Sequence, residues 1–261
     1  MRAMTAMMGA ILLIFSGPAA AETLHVYGPG GPSPAMKEAA AVYQAQTGTE
    51  VHIVSGPTKD WLANAKTNAD LIYSGSEAMM TDLVVAMEGR LQQKTIQPLY
   101  LRVSNILVRP GNPRRIDGLD DLLKPGLRVL VVQGAGQTGL WEDMAGRTGN
   151  ISTVRALRSN IVNFATTSAD AKKAWTDDQS IDAWIIWGIW QKANPTLADA
   201  VSVEKKYRIY RDTGVGLTTR GLDNRDAGQF LSFLSSPAGA AIFQKWGWIT
   251  HNSSSQPKVK R

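Results

Sequence analysis

VLVVQGAGQTGLWEDMAG, residues 129–146, is the stretch whose reading decides the fold. A β-branched and aliphatic run passes through a glycine-rich turn into a helix start carrying Glu142 and Asp143 in its first turn. That is the pattern of a buried strand feeding a helix. Gly134, Gly136 and Gly139 permit a sharp turn and close approach of a ligand, and the unpaired N–H groups of a helix start attract anions. The loop is therefore read as an oxyanion cradle, with Gly136, Gln137 and Thr138 as its candidate contacts; the plain alternative is a tight βα turn with no ligand. The same glycines fit the dinucleotide fingerprint, which asks for an acidic residue about 20 residues further on. Residues 154–164 read VRALRSNIVNF and supply none. A Walker loop fails too, because Leu140 stands where lysine must follow Gly139.

Working outward, the N-terminus supplies an address. Arg2, the apolar run Ala10 to Phe15, Gly17-Pro18 and Ala19-Ala20-Ala21 form a secretory signal peptide over residues 1–21, with cleavage expected after Ala21. No Cys follows the apolar run, which argues against a lipid anchor, and no later run is long enough to span a bilayer. A cysteine-free exported chain of 240 residues must be held by its core alone, and this favours a bacterial periplasm. The formal charge of +6 falls to +5 with Arg2 removed. Apart from the tail residues Lys258, Lys260 and Arg261 no basic block occurs, so nucleic acid is not an expected partner, whereas a small anion is.

The βα pattern recurs before the opening stretch. Leu24 to Tyr27 reads as a strand, with Ser33-Pro34 capping a helix to about Thr47; Val51 to Val54 is a strand, with Thr58 capping the helix of Trp61. Asp70 to Tyr73 is a third strand, and Ser76 caps the helix that follows. Beyond residue 90 come a long strand from Leu99 to Val108, a short helix over 116–126, a strand from Ile161 to Ala165 and a helix capped by Ser168. Strands from Ile181 to Trp187, Tyr207 to Tyr210 and Val215 to Thr219 follow, with Arg211-Asp212-Thr213-Gly214 as a loop. Helices from Asn224 to Leu234 and Ala238 to Trp246 finish the fold, and residues 251–261 form a polar tail. In open α/β sheets the strand-to-helix turns gather at one edge, where ligands bind.

Several segments together, GNP after the long strand, DGLDDLLKPGLRVLVV, SGPTKDWLANAKTNADLIYSGSE, GAGQTGLWEDMAGRTG and FLSSPAGAAIFQKWGW, resemble the periplasmic solute-binding proteins of ABC importers. The resemblance is to the type II molybdate and sulfate binders, and within them to the accessory colonization factor family. It implies an α/β fold of two lobes, each a mostly parallel sheet flanked by helices, joined by two hinge crossovers near Ser104 and Thr213. Lobe 1 would comprise residues 22–103 and 214–250, and lobe 2 residues 104–213. The implied function is capture of a small oxyanion or an organic or phosphorylated acid by hinge closure, for ABC import or sensing. An ABC permease is the implied partner, the state a monomer or homodimer, and no catalysis is expected.

If the lobes face one another, the ligand meets Gly30, Gly31 and Ser33, Ser55, Gly56 and Thr58, Ser74 and Ser76, and Gly136, Gln137 and Thr138. Charge would come from Arg158 and Arg211, with Arg102 behind them; a guanidinium favours carboxylates and phosphate esters over sulfate or molybdate. Each hydroxyl is equally readable as a helix cap and each Arg as a solvated side chain. Trp184, Trp187 and Trp190 read as core, with Trp187 kept as a cleft wall. His25, His52 and His251 have no metal-ligand spacing, so neither metal nor cofactor is expected. Two other readings stand beside binding. One is a serine hydrolase using Ser76 on a nucleophile-elbow-like turn, for which His251 would be the base; the other is a surface adhesin on the same fold.

Overall fold

The computed structural model describes residues 22–134 and 136–250. The signal segment, the polar tail and His251 fall outside the described residues. β1 (Leu24–Gly28), α1 (Ser33–Thr47), β2 (Val51–Ser55), α2 (Thr58–Asn68), β3 (Leu71–Tyr73) and α3 (Glu77–Ala86) form the expected βα units ahead of residue 90. β1 pairs in parallel with β2 and β3. After a 3₁₀ turn over Gln93–Thr95 comes β4 (Gln97–Val108), the longest strand described, then α4 (Leu119–Leu122). The opening stretch folds as β5 (Val129–Val132), buried throughout, and α5 (Leu140–Gly146). α6 (Ile151–Asn160), β6 (Ile161–Ala165), α7 (Ser168–Asp177), β7 (Ala183–Trp187), α8 (Ile189–Ala193) and β8 (Asp199–Ser202) follow. β9 (Tyr210–Leu217), α9 (Thr219–Asp223), α10 (Arg225–Leu234) and α11 (Pro237–Lys245) complete the chain.

The strands run in the order β2-β1-β3-β9-β4-β7-β5-β6, with β8 also on β4. β4 changes partners along its length: Gln97 to Val103 pair antiparallel with β9, while Ser104 to Val108 pair with β7, and Asn105 to Val108 with β8. It thus belongs to both halves of the sheet, which have helices on either side. One hydrophobic cluster extends from Leu24 and Tyr43 to Val129 and Leu157, and two further clusters cover Trp61 with Met80 and Trp175 with Trp184. This is the α/β two-lobe architecture anticipated above.

Several local readings are corrected. Residues 210–217 form one strand, with no loop at Arg211–Gly214. Gly214, which suggested a turn, instead packs within β9: a Cβ there would stand 3.4 Å from Met80 Cε and Ser74 Oγ. Thr218, placed in that strand by the sequence, caps α9 by accepting from Gly221 N–H. Ser33 and Thr58 are not caps, because α1 and α2 start after Pro32 and Pro57; the Ser33 hydroxyl instead donates to Ser55 Oγ at 2.9 Å. Thr167 rather than Ser168 caps α7, accepting from Asp170 N–H. Ser76 caps α3 as read. α6, β8 and α9 had no counterpart in the sequence reading.

Candidate functional site

α1, α2, α3 and α7 each begin where a strand has just ended, and the turns that start them converge on two adjoining cavities. The first, about 250 Å³, is lined by Gly30, Gly31, Gly56, Gly75, Gln137 and Ser168, with Arg102, Lys172 and Trp190. The second, about 400 Å³, is lined by Thr58, Ser76, Gly136, Thr138 and Arg211 and by an apolar wall of Met79, Leu83 and Ala86. Pro57 and Thr167 line both. Each helix start adds a favourable dipole and spare N–H groups.

Arg102 supplies the charge. Strand alternation turns Tyr100, Arg102 and Ser104 to the buried side of β4, and Arg102 is only 2% exposed. Its guanidinium lies 4.5 Å above the Trp187 ring and 5.6 Å from that of Trp248. Nη2 donates to the carbonyls of Gly75 and Gly136, while Nε has no partner among the described residues. Arg211 is its cross-strand neighbour on β9, but that cation is paired with Asp143 and donates to Thr138 O at 2.9 Å. Arg102 has no such carboxylate partner among the described residues. The first cavity is lined by Arg102 and Lys172 and by no acidic side chain. Trp190 Nε1–H and Gln137 Oε1, from residues lining this cavity, are buried and unpartnered among the described residues. Asp212 offsets part of the Arg102 charge, but a buried cation with no ion-pair partner is costly unless a ligand anion supplies one.

Burial, and then the charge of Arg211, push the Arg102 pKa well below the usual guanidinium range, to about 9. A base whose folded-state value lies below its unfolded one binds fewer protons in the native chain. This group therefore costs stability at neutral pH, and that cost fades as pH rises above about 9. Anion affinity has the opposite slope. It should weaken as Arg102 loses its proton, measured by ligand titration at constant ionic strength; affinity that does not fall over the pH range in which the guanidinium titrates would remove Arg102 from the contact. Glu77, at the start of α3, is raised above the usual carboxylate range, by burial first and then by the charge and hydrogen bond of Asp212.

The expected contacts divide by place. Gly30, Gly31, Gly56 and Gln137 line the first cavity, and Thr58, Ser76, Gly136, Thr138 and Arg211 the second. Ser33 and Ser55 bond to one another and line neither. Ser74 is fully buried, its Oγ accepting from Gly214 N–H at 3.2 Å. Trp187 is also fully buried and underlies Arg102. Arg158 sits on the exposed side of α6 with its guanidinium 4.5 Å from the Phe164 ring, and lines neither cavity. The cradle is also narrower than the loop suggested: Gln137 and Leu140 N–H are spent on Gly134 O and Gln137 O. Thr166, Thr167, Ser168, Lys172 and Trp190 were missed. The signal for Thr166, Thr167 and Ser168 was the hydroxyl turn between Ala165 and α7, the same device as at the earlier turns; Lys172, within α7, and Trp190, on α8, had none of that kind.

Other features do not compete with the cleft. A basin of about 670 Å³ holds Arg220 and Arg225, but Arg220 is paired with Glu22 and Asp70 and Arg225 with Asp226. Ser76 Oγ accepts from Met79 N–H at 3.2 Å, and the described histidines, His25 and His52, contact one another edge to face at 5.9 Å. Among the described residues no group of three or more acidic or histidine side chains could hold a metal ion, and no helix is long and apolar enough to cross a membrane.

Two sheet halves sharing a central strand, with helix starts aimed at a cation between them, define a two-lobe solute-binding protein. The chain belongs to the bacterial extracellular solute-binding protein family, whose model matches residues 24–249. It is similar to the L-phospholactate-bound PEB3, with 38% identity over 87% of this chain and 100% of that one and a TM-score of 0.83. Peb3 from Campylobacter jejuni matches at 37% identity over the same shares, with a TM-score of 0.81. The sulfate-binding protein SubI from Mycobacterium tuberculosis, at 17% identity over 88% of each chain and a TM-score of 0.72, shares the fold. No curated protein matches. Family and neighbours are binding proteins, in keeping with the kinship to molybdate and sulfate binders and the accessory colonization factors.

Proposed function

We propose that this protein captures a small organic acid bearing a phosphate or carboxylate in the first cavity and delivers it to an ABC permease. The observation that carries the reading is Arg102, a buried guanidinium with no carboxylate partner among the described residues, at a cavity lined by no acid. A helix N-terminus contributes about 0.3–2 kcal/mol to an anion and a hydrogen bond to a charged group about 1.5–3 kcal/mol. Micromolar binding needs about 8 kcal/mol, so Arg102 is the largest single contributor. A guanidinium suits a carboxylate or phosphate ester, and PEB3 is known with L-phospholactate. The ligand contacts proposed are Gly30, Gly31, Gly56, Arg102, Gln137 and Trp190, with Thr58, Ser76, Thr138 and Arg211 facing the second cavity.

The lobes in this reading are residues 22–103 with 214–250, and 104–213. The change of partners between Val103 and Ser104 supports the first crossing. The pairing of Val103 with Tyr210 supports a return within the first half of β9. Export to the periplasm through residues 1–21 fits the extracellular family. Binding without catalysis is the preferred reading, since the Ser76 hydroxyl is a helix cap.

Melting the mature protein with L-phospholactate, citrate, phosphate, sulfate and molybdate tests the reading. An organic acid at 100 times its dissociation constant should stabilise by about 2.7 kcal/mol. No shift with any of the five, or a shift confined to the inorganic ions, would overturn it.

A further inference from the structure

Gly75 follows β3 and Gly136 follows β5, on opposite sides of the β9–β4 pair in the sheet order. Yet both carbonyls accept from one nitrogen, Arg102 Nη2, Gly136 O at 3.2 Å and Gly75 O closer. The two loops touch there. A Cβ on Gly136 would stand 2.7 Å from Gly75 O and 2.8 Å from Gly75 C, and 3.0 Å from Arg102 Nη2. Backbone cannot yield as the end of a flexible side chain can, so this approach requires a residue without a side chain. The other terminus of Arg102, Nη1, lies beside Gly31, 3.2 Å from where a Cβ there would be, and Gly31 lines the first cavity. One guanidinium thus divides its work: one nitrogen ties the loop after β3 to the loop after β5, and the other lies toward the chamber.

We infer that Gly136 is a positioning residue for ligand capture: lacking Cβ, it lets the β5 loop close on Gly75 around Arg102, so lobe closure and presentation of the cation are one event. The inference rests on the binding reading above. Hinge closure is the usual motion of two-lobe binders, and here its end point is set by backbone contact across the cleft. The chain carries its own control. Gly139 has nearly the same left-handed conformation as Gly136, with φ of 72° against 76°, but a Cβ there would meet nothing nearer than the Asp143 carboxylate at 3.9 Å. Alanine at either position carries the same backbone strain, and only at 136 does it obstruct the loops.

The test compares Gly136→Ala with Gly139→Ala, using L-phospholactate as probe, with isothermal titration for affinity and small-angle scattering for closure. Gly136→Ala should bind at least tenfold more weakly than Gly139→Ala and keep its ligand-free radius of gyration at saturating probe. Gly139→Ala should contract as the wild type does. On this inference the clash belongs to the closed arrangement, so the two variants should melt alike without ligand. Equal affinity and equal contraction in the two variants would overturn the inference, as would a lower ligand-free melting temperature for Gly136→Ala. A wild type that does not bind the probe would instead remove the binding reading, and this inference with it. If Gly136→Ala fails to fold, Arg102→Lys carries the test: it keeps the charge but loses the planar fork. That variant should bind without contracting fully, and wild-type contraction with wild-type affinity would overturn the inference.

Discussion

An Arg102→Met protein should melt within a few degrees of the wild type and lose most or all of the stabilisation by an organic acid. The two halves of this result have different causes. Methionine removes a buried charge that lacks a carboxylate partner, and replacing such a charge with an apolar side chain of similar length is often neutral or favourable. Against that gain stand the lost hydrogen bonds to Gly75 O and Gly136 O, whose carbonyls border the cleft and can be hydrated. Ligand binding has no such compensation. Truncating one member of a buried hydrogen-bonded charge pair costs about 2–5 kcal/mol, or roughly 30-fold to several thousand-fold in affinity at 1.4 kcal/mol per decade. Thermal melts with and without L-phospholactate read both quantities on one sample. Retained stabilisation by the acid would show that the charge is supplied elsewhere, with Lys172 the next group to test.

Gly134→Ala should be the most damaging single methyl in the opening stretch. A Cβ at this position would collide with the Thr166 carbonyl oxygen, where Gln133 N–H donates to Ala165 O at 2.9 Å and holds the β5 and β6 ends together. Overpacking of this kind costs about 1–3 kcal/mol, and at this chain length each kcal/mol lowers the melting temperature by about 2–4 °C. The shift also reaches the site, since Thr167 borders both cavities; the ligand-induced rise in melting temperature should shrink with it. A variant melting and responding as wild type would mean that the two turns can separate without consequence.

The glycine motif shows how much function a sequence can reveal and where it misleads. Its strand, turn and helix were legible from alternation and composition, but its glycines serve packing as much as anion approach. Gly134 admits the β6 turn, Gly136 admits Gly75, and α5 itself is only seven residues long. The turns after β1, β2 and β3 were legible because each couples a short apolar strand to a turn bearing glycine and a hydroxyl, although only Ser76 of the expected caps serves as one. The β6–α7 turn used the same vocabulary and was read only as a cap. Arg102 was ranked behind Arg158 and Arg211, because a lone basic residue in a strand carries no mark of burial except its parity with Tyr100 and Ser104. Ranking the three required knowing which cation has an acid beside it: Asp143 takes Arg211, and Phe164 holds Arg158 away from the cleft lining. Such pairings join residues far apart in the chain, and local pattern does not record them.

β4 has one further consequence. Because Gln97–Val103 complete one ladder and Ser104–Val108 the other, a cut at this point would leave each fragment without an interior neighbour for its remaining strands. Neither half should therefore fold when expressed without the other. The chain should fold as a unit, even though its central strand serves two ladders.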